Sequence, residues 1–463
     1  MFRPISKRIY HSKIGALQVF LFTVTFILVS IQLLSTRPLQ DDYFLLGTLA
    51  DSSWLNMMKN TWDWQGGNLW PYGAQGILVQ NSIYSNNFTV IALWTLITLS
   101  ITTFANYVIL KWALGKNFRL LGRFKILTIT SLSYLAFEGL FSPGLIAAYS
   151  FHQTSFAHLY PISLLFISLY LIEKEFNKLS VGFLLGILIG NSNASESLAA
   201  ISILLLLYLA SGTALLRSIF VFPKKNRFFH GLIFGGIIGL LLIFLAPGFW
   251  NRAHNSVGLP SSPIELFNRF FRAISSFGAD VLTHPMIWLS LLIGIVFSNL
   301  IKDKVEDNFL IARIKGLSLI AMVIFLANTF GSTFGYVAWW QSIGFYQILI
   351  PISFIIGMNY KSIVRINLSQ KFHSFLLIII ITSITLLSIR FAIAISTRSV
   401  EWDMAFAKNY CAIKSDSNSE LIGADMLYPG FDLGIEDIGK WQWMRESYVN
   451  WVSNSKFIVD INC

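Results

Sequence analysis

Charge is scarce in this chain and cysteine scarcer. Asp, Glu, Lys and Arg make up 12% of the 463 residues and hydrophobic residues 55%, with a mean hydropathy of +0.63. Such a balance excludes a water-soluble enzyme of this length, whose surface would need roughly twice that share of charge. The two cysteines, Cys411 and Cys463, are too few for a zinc site or a disulfide scaffold, and they matter only if both lie in an oxidising compartment. No CxxC pair, glycine-rich phosphate loop or nucleophile-elbow serine occurs, so soluble-cofactor and triad chemistry lack their signatures. Internal repeats and low-complexity tracts are missing too.

What the chain does have is apolar runs near the roughly 20 residues that cross a hydrocarbon core of about 30 Å. Eleven are expected: Ile14–Leu34, Phe88–Leu110, Ile126–Leu140, Ser155–Ile172, Val181–Gly190, Ser197–Leu215, Gly231–Leu245, Ile287–Ile301, Gly316–Phe330, Ser342–Gly357 and Phe375–Ile395. The fold class is therefore an all-α polytopic membrane protein in the lipid bilayer. The formal charge of +11 does not point to nucleic acid, which needs a basic stripe on one accessible face. Here the greater part of the 34 Lys and Arg residues falls in clusters between apolar runs: Arg3–Lys13, Lys111–Lys125, Lys174–Lys178, Arg217–Arg227, Lys302–Lys315 and Lys361–Lys371. Because Lys and Arg stay on the cytoplasmic side, these clusters set the amino end inside and the carboxyl end outside. The first run is longer than the apolar region of a signal peptide and has no small-residue cleavage site, so it reads as a retained helix.

That topology gives a transmembrane domain over residues 1–396 and a small outer domain over residues 397–463, whose two cysteines can pair outside. A first outer loop covers residues 35–87 and a second covers residues 247–283. In the second, Ser262-Pro263-Ile264-Glu265 is a helix-start signature. Ile264, Phe267, Phe271, Ile274 and Phe277 then recur three or four apart, as in a helix lying in the membrane interface.

The chemistry-bearing residues gather on the outer side. Asp41 and Asp42, followed by Tyr43, open the first outer loop, and adjacent carboxylates at a membrane surface need water, a cation or a polar substrate. One reading is a solvated helix cap; the other is a reacting group. Neighbouring residues on a helix do not share a face, so one of the pair at most serves as that group, and Asp41 is the candidate. Trp54, Trp62, Trp64, Trp70 and Tyr72 follow, either stacking on sugar rings or forming an interfacial aromatic belt. Among them, Gly66-Gly67-Asn68 permits close backbone approach.

Between Val181 and Leu215 two spans share a stretch hardly long enough for both, so the turn Gly190-Asn191-Ser192-Asn193-Ala194-Ser195-Glu196 is expected at membrane depth. Irregular backbone is tolerated there only when buried in protein or lining a wet cavity, which makes Glu196 a functional candidate; a polar hairpin reaching the outer water is the other reading. Glu138, near the outer end of the third span, is a weaker candidate. Arg252 follows Ala246-Pro247-Gly248 at an outer helix exit, where it suits a phosphate, of a lipid headgroup or of a substrate. His152 and His158 are six apart, a spacing that fits no helical metal pair.

These elements together resemble the GT-C superfamily of membrane glycosyltransferases. The shared order is a first helix, Asp41-Asp42-Tyr43, the outer Tyr160-Pro161, the Gly190-Asn191 turn ending at Glu196, and Ala246-Pro247-Gly248 ending at Arg252. The layout is also similar to serotype-converting O-antigen glucosyltransferases, and the resemblance covers about the first 250 residues. It implies a bacterial cytoplasmic-membrane enzyme that takes a sugar from a polyprenyl-phosphate donor and gives it, with inversion, to a glycan or lipid-linked acceptor at the outer face. Asp41 would be the general base, with Asp42 and Glu196 as further acidic site residues. Arg252, with Arg269 and Arg272 behind it, would stabilise the leaving phosphate. Tyr43, Trp64, Asn68, His158 and Tyr160 would bind substrate. A divalent cation, Mg or Mn, held by Asp41, Asp42 or Glu196 is compatible with oxygen ligands. The competing classes are a transporter or flippase of a lipid-linked glycan, and a structural or sensory membrane protein.

Overall fold

The structure, a computed structural model, describes residues 3–35, 45, 47–49, 52–85, 89–122, 124–137, 155–210, 226–256, 260–298, 307–333, 343–364, 368–415, 446, 448–450 and 452–453. No strand occurs among these residues. In chain order the helices are α1 (Arg3–Ser35), α2 (Trp54–Asn60), α3 (Leu69–Ser85), α4 (Thr89–Leu114), α5 (Lys125–Phe137), α6 (Tyr160–Glu173), α7 (Leu179–Gly190) and α8 (Ala194–Ala210). They continue with α9 (Arg227–Leu245), α10 (Pro247–Ser256), α11 (Pro263–Thr283), α12 (Pro285–Phe297), α13 (Asp307–Thr333), α14 (Ile343–Met358), α15 (Tyr360–Val364) and α16 (Gln370–Lys414).

A helix lies on each of the eleven apolar stretches. Five helices contain a segment long and apolar enough to cross a membrane: Ile14–Ser35, Leu93–Leu114, Arg227–Leu245, Ile311–Thr333 and Gln370–Lys414. A sixth candidate is the pair α11 and α12, bent by 42°. The apolar helices α6, α7, α8 and α14 are shorter, at 10–17 residues.

The last helix continues past Ile395, where the apolar run ends. It runs 45 residues without interruption, about 68 Å at the rise of an α-helix. Nothing between Gln370 and Lys414 is Gly or Pro, so no residue breaks the helix where the apolar run gives way to polar sequence.

Two seams of glycine fix the middle of the bundle. A Cβ on Gly182 would stand 2.1 Å from the Phe228 carbonyl oxygen, and one on Gly235 would stand 2.1 Å from that of Phe183. Helices α7 and α9 therefore meet backbone to backbone, the packing available when lipid rather than water surrounds a bundle. Gly294 of α12 and Gly357 of α14 make a second such contact, with Phe354 and Leu291 oxygens at 2.2 and 2.1 Å from their notional Cβ atoms. Helix α14 is buried along nearly its whole length. Polar side chains inside the bundle find partners across helices: Tyr134 donates to Gln32 at 2.7 Å and Asn106 to Ser133 at 2.7 Å. Tying down such groups is a requirement of burial.

Candidate functional site

The first long loop is pinned to the bundle by two glycines and an asparagine. Ser53 caps α2 by accepting from the Asn56 N–H, and a π-helical turn, Thr61–Gln65, follows. Gly66 and Gly67 then take φ of 121° and 76°, values that favour glycine. Gly67 also sits against the end of α9, where a Cβ would lie 2.4 Å from the Ala246 Cβ and 3.0 Å from the Leu242 oxygen. Both requirements were legible as a Gly-Gly pair.

Asn191, in the turn between α7 and α8, joins three segments. Its Nδ2 donates to the carbonyls of Gly67 at 2.9 Å and Gly239 at 3.3 Å, and its Oδ1 accepts from the Trp70 backbone N–H at 3.1 Å. Ser192 accepts from the Trp70 indole N–H at 2.9 Å and donates to the Leu188 carbonyl. Ser197 reaches back to the Ile189 carbonyl at 2.9 Å. The irregular turn is thus buried in protein, as depth in an apolar bundle demands.

Behind this turn lies a buried carboxylate and imidazole. His158 Nδ1 is 2.9 Å from Glu196 Oε1, and the two side chains are 6% and 0% exposed. The two atoms share one hydrogen bond. Glu196 occupies the first turn of α8, where unpaired backbone N–H groups favour negative charge. Its second oxygen has no hydrogen-bond partner among the described residues. Gly344 of α14 closes the pocket, a Cβ there lying 3.3 Å from the His158 carbonyl and 3.6 Å from Glu196 Cγ. One turn along α14, Gln347 Nε2 donates to Ser163 on α6, while its buried Oε1 has no partner among the described residues.

Tyr160 connects the pair to the first loop. Its hydroxyl shares a 2.7 Å hydrogen bond with Thr98. Its ring stacks on Trp70 at 6.3 Å and 24° and leans on Trp94 at 5.9 Å. Trp70 in turn holds Asn191 and Ser192. One end of the bundle therefore collects the first loop, the starts of α6, α8 and α14, and the ends of α7 and α9.

Of the expected site residues, Glu196, His158 and Tyr160 come together there. Asn68 is buried between Gly67 and α3, and Trp64 stands on the π-helical turn 68% exposed. Arg252 is exposed on α10, a helix packed on that same turn through Asn251, which reaches the Asp63 carbonyl at 3.4 Å. Arg269 on α11 donates to the Glu265 carboxylate and to the Thr333 carbonyl, and Arg272 on the same helix is exposed. Asp41, Asp42 and Tyr43, with Glu138, His152 and Cys463, lie outside the described residues. Cys411 is disulfide-bonded.

Among the described residues no three His, Cys, Asp or Glu side chains converge on a common point. Glu196 and His158 are two such groups, short of three.

Helix α11 starts as its sequence signature requires. The Ser262 side chain accepts from the Glu265 N–H, and Glu265 accepts from the Ser261 N–H and hydroxyl at 2.7 and 2.6 Å. Ile264, Phe267 and Phe271 are exposed, whereas Phe277 is buried against Phe325 of α13. The salt link from Glu265 to Arg269 crosses one helical turn.

Two features escape sequence reasoning: the pairing of His158 with Glu196, and the use of Asn191 as the loop's anchor. Each residue carries a local signal, a His two places before Tyr-Pro and an Asn opening a polar turn. Neither signal names its partner. Comparison with protein-family models, with curated proteins and with solved structures returned no match.

Proposed function

We propose that the chain is a membrane glycosyltransferase with a GT-C-like fold, crossing the bacterial cytoplasmic membrane about eleven times. It moves a sugar from a polyprenyl-phosphate donor to a glycan of the O-antigen kind, or to a lipid-linked acceptor, on the outer face. The observation that carries this reading is the convergence, at one end of the bundle, of the buried Glu196 and His158, the Trp70 and Tyr160 rings, and the Gly67–Trp70 part of the first loop. A transferase needs such a meeting of carboxylate, aromatic surface and membrane interface.

Topology follows from the basic clusters, with the amino end inside. The disulfide at Cys411 supports an oxidising side for the far end of α16. Asn450 donates to the Gly47 carbonyl at 2.9 Å, which supports placing the first loop on that same side. Helix α11 lies in the outer interface with Ile264, Phe267 and Phe271 toward lipid, and α12 belongs to the expected span Ile287–Ile301.

In the reaction, the acceptor hydroxyl oxygen forms a bond to the anomeric carbon from the face opposite the phosphate. The bond from that carbon to the phosphate oxygen breaks, its electron pair leaving with polyprenyl phosphate. Asp41 takes the hydroxyl proton. Arg252 offers positive charge to the departing phosphate, with Arg272 as its neighbour along the interface. Phosphate is a good leaving group, so a second carboxylic acid of the glycosidase kind is not required. Exposed Trp64 suits a sugar ring. A divalent Mg or Mn ion, if the Asp41 and Asp42 carboxylates bind one, would supply additional charge at the phosphate.

A transporter or flippase is the second reading. The observation in its favour is the 42° bend between α11 and α12, a second interruption beside the α7–α8 turn of the kind transporters pair across their halves. Mass spectrometry of surface and lipid-linked glycans from cells with and without the gene separates the two. A sugar added to each repeat is expected of the transferase; a change only in glycan amount or chain length overturns it in favour of transport.

A further inference from the structure

The carboxyl-terminal segment is bound at both edges. On one side it meets the polar end of α16: Tyr448 is buried and its hydroxyl bonds to Asn409, and Lys414 Nζ donates to the Ser453 carbonyl at 3.1 Å. On the other it meets the first outer loop, where Asn450 Nδ2 donates to the Gly47 carbonyl at 2.9 Å. That carbonyl lies five residues past Asp42. Leu45 and Leu49, on either side of it, are buried, as is Val452 of the segment. Cys411, one turn before Lys414, carries a disulfide, and the one other cysteine of the sequence is Cys463.

We propose that the segment carrying Tyr448, Asn450 and Val452 forms a clamp that holds the first loop at Gly47 against the far end of α16, in the stretch of sequence that follows Asp41 and Asp42, and that a bond between the chain's two cysteines, Cys411 and Cys463, ties it there. Asn450 is the positioning residue. The physical logic is that a loop begins as an ensemble, and a carboxylate must be fixed within a fraction of an ångström to act on a bound hydroxyl. One amide hydrogen bond to a backbone carbonyl, reinforced by a covalent tie, restricts that ensemble at the residues nearest the acidic pair. Extension of α16 past the apolar run has a purpose in this account: it is the post on which the clamp is mounted. The catalytic part of the inference rests on the proposed transferase, whereas the clamp itself does not.

Hydrogen–deuterium exchange of the full-length protein in lipid nanodiscs tests it. Asn450→Ala is expected to speed exchange over residues 45–52 about fivefold, the effect of losing one hydrogen bond, with the α7–α9 seam unchanged. Asn450→Gln keeps an amide donor and is expected to restore protection. Reduction with a phosphine, which leaves Asn450 in place, is expected to speed exchange in the same peptide. Unchanged exchange in residues 45–52, or a rise equal to that in the α7–α9 seam, overturns the clamp. Glycan transfer, read separately at equal membrane abundance, is expected to fall with Asn450→Ala and recover with Asn450→Gln. Faster loop exchange in a protein whose wild type transfers no sugar supports the clamp and removes the transferase reading instead.

Discussion

His158 and Glu196, 38 residues apart in the chain, place Nδ1 and Oε1 2.9 Å apart inside the bundle. Removing one partner of a buried hydrogen-bonded pair leaves the other's polar atom unsatisfied, at a cost of about 1–3 kcal/mol. Glu196→Ala is therefore expected to lower the thermal stability of the detergent-solubilised protein sharply, and Glu196→Gln, which keeps a hydrogen bond to the imidazole, much less. In a double-mutant cycle with His158→Ala, the two losses are expected to fall short of additivity by about 1–3 kcal/mol. Additive losses would contradict a direct interaction.

Gly67 has two reasons to be glycine, a φ of 76° and a backbone lying against α9. Gly67→Ala is expected to cost about 1–3 kcal/mol for the backbone strain alone, with steric displacement of the loop from Ala246 added to it. Thermal unfolding followed by size-exclusion chromatography reads this directly. A Gly67→Ala protein as stable as wild type would mean that the loop does not dock as described.

Asn191 supplies one acceptor and two donor contacts to the first loop and α9. Asn191→Ala leaves the Trp70 N–H and the Gly67 carbonyl without that partner, and each buried polar group so left costs about 1–3 kcal/mol. Limited proteolysis is expected to cut the loop between Trp54 and Trp70 sooner in this variant. Asn191→Asp keeps the acceptor for Trp70 and is expected to give an intermediate result. Equal proteolysis of all three proteins would remove Asn191 from its role as anchor.

Glu265 should titrate unusually low. The Ser261 hydroxyl and N–H, then Arg269, pull its carboxyl from an ordinary 4.5 down to about 2. A depressed folded-state value means that ionised Glu265 stabilises the start of α11 fully above about pH 4.5, and that this contribution fades as pH falls toward 2. Carboxyl-labelled glutamate followed by NMR is expected to show a midpoint near 2 for Glu265, rising in Ser261→Ala. A midpoint at the ordinary glutamate value would contradict the helix-start geometry.

Much of this arrangement is written locally. The helix positions follow from apolar runs, the start of α11 from Ser262-Pro263 and Glu265, and the tight passage at Gly66 and Gly67 from the absence of side chains. The apolar run does not give the end of α16, because a helix continues through polar residues until something breaks it, and no Gly or Pro does so before Ser415. The site was legible residue by residue rather than as a set. Glu196 stood out as a carboxylate at depth and Tyr160 as part of a Tyr-Pro start, but Asn191 bonds a residue 121 positions away. Such a pairing depends on how α7 and α9 approach through their glycines, which periodicity does not encode. The engagement of Arg269 by Glu265 is an i,i+4 relationship that spacing alone already permits.

The most direct test of the transferase account compares glycans from cells lacking the gene, carrying the wild type, and carrying Asp41→Asn at equal membrane abundance. Asn at that position keeps size and polarity while removing the base. The account predicts one added sugar per repeat with the wild type and none with Asp41→Asn. The same added sugar from both proteins would contradict Asp41 as the base, and no added sugar from either would contradict the transferase itself.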